Sequence, residues 1–172
     1  NSLDRIRQDL TDIPQIVYGV NLGITWKQFD LSLLFQGQAK VINTIQETWV
    51  DPSSGGAGNL MQWWTEDMWT PENTDGTKPR LGTPNKINGT TFTNINAAFF
   101  KLKNAEIGYT LPVAVREKIG VANARVYLSG TNLFSFDHMR GMGIDPEATG
   151  SGYGGWALNP QRLINLGVNV SF

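Results

Sequence analysis

Apolar and polar residues alternate along five stretches of the chain, which is the pattern of β-strands with one apolar and one polar face. The last stretch is the clearest, because every second residue from Ile164 to Val170 is apolar and the chain then finishes on Phe172. The predicted strands lie near residues 15–25, 29–42, 99–111, 124–134 and 162–172. A strand with one apolar face and one face of Asn, Gly and Ser suits a wall between lipid and water.

Two details of these strands bear on the faces of the predicted sheet. Asp30 and Glu106 fall on the polar side of their strands and are expected to form part of a polar wall. In the stretch 124–134, Val126 and Leu128 favour one face as the apolar one, whereas the ring of Tyr127 argues for the other. The sequence leaves that assignment open.

The connections between the strands alternate in length. Residues 26–28 and 112–123 are short connections, whereas 43–98 and 135–161 are long. Bacterial outer-membrane barrels have short periplasmic turns and longer extracellular loops, so the two long connections are predicted to lie outside the cell. Within the second short connection, the sequence of residues 112–120 predicts one helical turn, and Gly120 is expected to end it.

Composition excludes several classes of function. The 172 residues carry a net charge of −1, which gives no basic surface for nucleic acid. The absence of cysteine excludes disulfides and thiolate metal sites, and His138 is the single histidine, so we expect no enzyme, no cofactor and no metal centre. The chain has no run of about 18 apolar residues for a membrane helix and opens without a signal peptide, so part of a longer polypeptide is expected.

An ordered set of short motifs resembles the carboxyl-terminal part of SusC/RagA-type TonB-dependent transporters, and the resemblance spans nearly the whole chain. The motifs are Phe29-Asp30-Leu31-Ser32-Leu33-Leu34-Phe35-Gln36-Gly37, Trp69-Thr70-Pro71-Glu72-Asn73, Gly108-Tyr109-Thr110-Leu111-Pro112, Arg125-Val126-Tyr127-Leu128-Ser129-Gly130-Thr131-Asn132-Leu133-Phe134 and Asp145-Pro146-Glu147, followed by the closing strand. Any one of them is weak, but their order is specific.

The resemblance implies an all-β fold in which residues 1–172 supply about five antiparallel strands of a 22-stranded transmembrane barrel in the outer membrane of a Gram-negative bacterium. It also implies a plug domain and a TonB-contacting segment upstream of this chain, a SusD-like surface lipoprotein as partner, and import of an oligosaccharide or a peptide. Phe172 would be the barrel assembly signal. Five strands alone leave two unpaired edges, so the missing strands must complete the barrel.

Aromatic residues in the two long connections are the candidate contacts to ligand or lid. They are Trp49, Trp63, Trp64, Trp69 and Trp156. The alternative is that these rings pack among themselves or sit in an interfacial aromatic girdle. Two other functional classes also stay open: a passive porin, which would lack the plug, and a β-rich surface adhesin or binding protein, in which the apolar faces would pack together.

Overall fold

The structure is a computed structural model that describes residues 9–45, 61–80, 91–147 and 160–172. Within these ranges it contains strands β1 (Ile16–Trp26), β2 (Phe29–Ala39), β3 (Ile42–Thr44), β4 (Asn94–Asn96), β5 (Phe99–Thr110), β6 (Asn123–Asp137) and β7 (Leu163–Ser171), and helices α1 (Gln62–Thr65) and α2 (Val113–Ile119). The fold is therefore all-β, as predicted. No helix in the described ranges is long and apolar enough to span a membrane.

The chain divides into two compact units. The strand unit comprises Val17–Gly37, Phe99–Phe136 and Pro160–Phe172, and the loop unit comprises Asn1–Ile16, Gln38–Ala98 and Asp137–Asn159. The strand unit holds a five-stranded antiparallel sheet in the order β1-β2-β5-β6-β7, so its strands lie side by side in chain order. β1 and β2 are joined through Lys27, whose left-handed backbone (φ 54°) allows the chain to reverse within two residues.

The pairing of β6 with β7 decides which face of β6 is apolar. Val126 lies opposite Val168 and Leu128 opposite Leu166, whereas Tyr127 lies opposite Gly167. Because residues that face each other across an antiparallel pair share a face of the sheet, Tyr127 lies on the polar face.

Two aromatic contacts between β2 and β5 depart from strict alternation. Phe29 contacts Tyr109 with ring centroids 4.7 Å apart, and Phe35 stacks on Phe100 at 5.4 Å. Phe29 and Phe35 are six residues apart and share a face of a regular strand, but Phe100 and Tyr109 are nine apart and would not. One of the two strands therefore contains an irregularity between these contacts.

Helix α2 ends where the sequence predicts its stop. Gly120 adopts a left-handed conformation (φ 70°), and the N–H of Val121 donates to the carbonyl of Arg116 at 3.1 Å. These contacts satisfy the last carbonyls of the helix and turn the chain toward β6.

The loop unit has an apolar core of its own. Val41, Ala97 and Met139 are fully buried together, and Ile45 and Trp64 form a second buried group. The Gln38 side-chain amide donates to the carbonyls of Ala97 (3.0 Å) and Pro146 (3.2 Å), which joins segments far apart in the sequence. β3 and β4 pair antiparallel within this unit.

Candidate functional site

The apolar face of the sheet is exposed on both of its outer strands. Its exposed residues are Tyr18, Val20, Leu22, Ile24 and Trp26 on β1 and Ile164, Leu166, Val168 and Val170 on β7. Soluble proteins rarely expose contiguous apolar patches of this kind. Leu166, in the middle of β7, has 76% of its surface accessible. This face is suited to contact with lipid.

Aromatic residues mark both ends of the apolar face. Trp26, Phe29 and Tyr109 lie at the end where β1 turns into β2, and Tyr18, with Phe35 and Phe100, lies at the other. The eight-residue step from Tyr18 to Trp26 spans about 26 Å along the strand, or about 20 Å at a 40° tilt. Outer-membrane barrels carry an apolar band about 25 Å tall between two aromatic girdles, and the tilted rise comes within about 5 Å of that height.

The polar face carries an ionic cluster of Asp30, Glu106 and Arg125, called here the Arg125 cluster. Arg125 on β6 donates through Nε to Asp30 Oδ1 on β2 at 3.0 Å, and through Nη2 to the second oxygen of Asp30. Nη2 also contacts Glu106 Oε1 on β5 at 2.7 Å. Paired hydrogen bonds of this kind fix geometry as well as charge, so one guanidinium ties three strands together.

Two glycines leave room for polar side chains of β6. The Arg125 guanidinium occupies the space that a side chain at Gly108 would need, and the Tyr127 ring does the same at Gly167. The guanidinium carbon of Arg125 lies 5.1 Å from the centroid of the Tyr127 ring. Arg125 and Tyr127 therefore lie close to each other and to glycines of the neighbouring strands β5 and β7.

The sequence predicted only part of this cluster. Asp30 and Glu106 were expected on the polar wall, whereas Arg125 was not identified as a candidate. Arg125 and Tyr127 are two residues apart and therefore lie on the same face of β6. From the sequence alone it is ambiguous whether that face is the polar or the apolar one. It could not be assigned until the pairing of β6 with β7 was known.

The candidate tryptophans fall into three groups. Trp64 is 3% exposed and packs with Ile45 in the loop unit, with the Trp63 ring edge-on at 5.6 Å. Trp69 is 40% exposed. Trp49 and Trp156 lie outside the described residues. Among the three candidates that the structure describes, Trp69 is the most exposed, Trp63 is partly buried and Trp64 is buried.

A braced loop holds Trp69. Its backbone N–H donates to the carbonyl of Lys78 at 2.7 Å, and Lys78 Nζ lies 3.6 Å from the Asp67 carboxylate. Asp67 also accepts hydrogen bonds from the backbone N–H (3.2 Å) and the hydroxyl of Thr77. These Thr77 hydrogen bonds, helped by the charge of Lys78, hold the pKa of Asp67 below its ordinary value. The charged carboxylate therefore helps to close the loop.

No family model matches the chain. It is 30% identical over 174 residues to TonB-dependent receptor P26 of Formosa agariphila and 29% identical over 177 residues to TonB-dependent receptor P3 of the same organism. These alignments cover 93% and 92% of the chain but only 17% and 16% of the two relatives. The chain thus spans about a sixth of the length of either receptor.

Solved structures agree with these relatives. The RagAB peptide importer in its 'open-open' state matches with a TM-score of 0.69 and 28% identity, and in its 'closed-closed' state with 0.71 and 27%. Each match covers 96% of this chain and 18% of the other. The chain belongs with the SusC/RagA-type TonB-dependent receptors. For this receptor segment the predicted fold class is confirmed as well, since its antiparallel sheet matches the RagAB barrel.

Proposed function

We propose that the full-length protein is the barrel subunit of a nutrient importer in the outer membrane of a Gram-negative bacterium. The observation that carries the proposal is the exposed apolar face of the sheet, bounded at both ends by aromatic residues. Burial of this face in lipid removes it from water, and strands that precede the chain would pair with the open edges of β1 and β7.

The same proposal assigns a side of the membrane to each connection. The two long connections, 43–98 and 135–161, face the outside, and the β1–β2 turn and helix α2 face the periplasm. This orientation follows the rule of long extracellular and short periplasmic connections. Trp69 then stands on the extracellular side, where an exposed ring is available to a ligand or to a lipoprotein lid.

The names of the relatives support a proposal about partners and ligand. The receptors from Formosa agariphila are TonB-dependent, and RagAB is a peptide importer. We infer a SusD-like lipoprotein partner, energy from the TonB complex through a segment upstream of this chain, and a peptide as the first ligand to test. An oligosaccharide is the alternative that the indole of Trp69 would also suit.

Uptake and fractionation of the full-length protein test this proposal. We expect recovery from outer membranes together with a lipoprotein, and uptake of a labelled peptide mixture that stops when the proton-motive force is dissipated. Uptake that persists without the proton-motive force would indicate a passive porin. Recovery only as a soluble monomer would indicate a surface adhesin and contradict the proposal.

A further inference from the structure

Helix α2 exposes apolar side chains that the sheet does not cover. None of its seven residues, all within the described part of the chain, is buried, and Val113, Val115 and Ile119 are exposed. A helix this short gains most of its stability from packing of an apolar face rather than from its own propensity. Because the sheet buries no residue of α2, a surface outside the sheet is needed to cover these side chains.

The charges of α2 are arranged around one apolar face. Val115 and Ile119 are four residues apart and share that face of the helix. At about 100° per residue, Arg116 and Lys118 flank it, one on each side, and Glu117 lies on the opposite side of the helix. An apolar face bordered by cations, with the acidic residue turned away from it, is the arrangement of helices that lie in a membrane interface.

Hydrogen bonds place α2 at one end of the sheet. The N–H of Thr110, at the end of β5, donates to the carbonyl of Gln28 in the β1–β2 turn at 2.8 Å. After the helix, the N–H of Ala122 donates to the carbonyl of Ser171 at the end of β7, also at 2.8 Å. The connection that contains α2 therefore starts level with the β1–β2 turn and finishes level with the end of β7.

The same end of the sheet has the side chains of a lipid–water boundary. Trp26 is exposed on the apolar face, and Lys27 Nζ lies 4.8 Å from the centroid of the Trp26 ring. An indole with a lysine ammonium beside it is typical of a membrane interface, where the ring lies among the headgroups and the ammonium reaches the phosphates. Since α2 lies at this end, charge complementarity selects an anionic lipid headgroup as the partner of its cations.

We propose that α2 is a lipid-binding helix that lies on the phospholipid leaflet at the periplasmic side of the outer membrane. Val115 and Ile119 enter the boundary of the acyl chains, and Lys118 binds a lipid phosphate. Arg116 also donates to the carbonyl of Ala122, so part of its guanidinium is engaged within the chain. This inference rests on the proposed function, which places the apolar face of the sheet in the membrane.

Fluorescent probes in the full-length protein test this inference. A bimane group is attached to Ile119→Cys, or to Glu117→Cys as the matched control, in a full-length background without other cysteines. The protein is reconstituted in vesicles that contain phospholipids with a nitroxide near the headgroup. We expect roughly two- to fivefold stronger quenching at residue 119 than at residue 117, because an interfacial helix buries only its apolar face. Equal quenching at the two positions overturns the inference.

A third probe, on Leu166→Cys in β7, separates this inference from the proposed function. Leu166 lies on the apolar face of the sheet, so its probe reports on the membrane location itself. Quenching at residue 166 but not at residue 119 overturns the inference alone and indicates that a periplasmic protein covers α2. A folded protein without quenching at residue 166 overturns both the inference and the proposed membrane location.

The charge of the vesicle tests the contact of Lys118 with phosphate. Phosphatidylglycerol in place of phosphatidylcholine should raise quenching at residue 119 roughly twofold, because an anionic surface attracts nearby basic side chains. Lys118→Gln and high salt should each remove most of this increase. Lys40→Gln, beyond the other end of β2, is the matched control and should keep it. An increase that Lys118→Gln leaves unchanged overturns the assignment of phosphate to Lys118.

Discussion

Three glycines of the sheet lie beneath a longer side chain from the neighbouring strand. Tyr18 covers Gly37, Arg125 covers Gly108 and Tyr127 covers Gly167. Tyr18 then reaches past Gly37 to donate its hydroxyl to the carbonyl of Phe99 at 3.2 Å. A Cβ atom at any of the three would overlap the covering group. At Gly108 and Gly167 that group is the end of a side chain, whereas at Gly37 it includes the backbone carbonyl oxygen of Phe99.

Substitution of Gly167 should destabilise the barrel. In Gly167→Ala the added methyl group displaces the Tyr127 ring and disturbs its contact with Arg125. We expect a loss of about 1 kcal/mol in the free energy of unfolding, at the low end of the range for overpacked sites, because the end of the Tyr127 side chain can move aside. Urea unfolding of full-length protein in lipid vesicles measures it.

Gly23→Ala is the matched control, since a Cβ atom at Gly23 meets nothing within 4 Å. Its free energy of unfolding should stay within about 0.5 kcal/mol of wild type. Equal free energies of unfolding for Gly167→Ala and Gly23→Ala would contradict the steric explanation. In the double variant Tyr127→Ala, Gly167→Ala, the loss in free energy of unfolding should be smaller than the sum of the two single losses. The reason is that Tyr127→Ala removes the ring that the new methyl group would overlap.

Among the elements, β7 is the strand whose apolar face is predicted most directly by the alternation of apolar and polar residues. Its regular pattern assigned the apolar face correctly, and its pairing with β6 then resolved the face of Tyr127. The contacts of Phe100 and Tyr109 show that alternation alone does not assign faces along a whole strand. One irregular residue moves every side chain beyond it to the opposite face of the sheet. The apolar positions of β5 do change phase, from Phe100 and Leu102 to Ala105, Ile107 and Tyr109, but the pattern alone does not say which strand contains the irregularity.

Neighbouring residues of β7 offer a direct test of the two faces. Leu166 lies in the middle of the apolar face opposite Leu128, and Asn165 lies on the polar face opposite Ser129. Leu166→Lys should cost about 2–4 kcal/mol, the penalty for a lysine at the lipid-facing midplane of a barrel. Asn165→Lys should stay within about 0.5 kcal/mol of wild type, because its ammonium group faces water.

The same vesicle-based unfolding measurement compares the two lysine variants. They differ by one position and introduce the same charge, so general effects of charge on refolding cancel. Similar losses in both would mean that β7 does not present one face to lipid, and the proposed membrane location would then lose its main support.

For the whole molecule, sequence predicted the sheet better than the loops. The strands carry local alternation, and the ordered motifs identified the family. The loop unit instead depends on residues that are far apart in the chain: Val41, Ala97 and Met139 meet in one core, and Gln38 joins Ala97 to Pro146. The different surroundings of Trp64 and Trp69 follow from that packing, which no local pattern encodes.

Phe172 provides the last prediction, because its predicted role in assembly can be separated from any role in stability. It is 95% exposed at the end of the chain, so its side chain makes little contact within this sheet. We expect full-length protein with Phe172→Ala to refold into lipid vesicles nearly as well as wild type, with a similar urea midpoint, because an assembly signal is not needed for spontaneous refolding. In cells, however, we expect much less heat-modifiable barrel in the outer membrane, and Phe172→Tyr should restore most of it. An equal loss in vesicles would mean that the ring stabilises the closed barrel itself, through the first strand that β7 meets there.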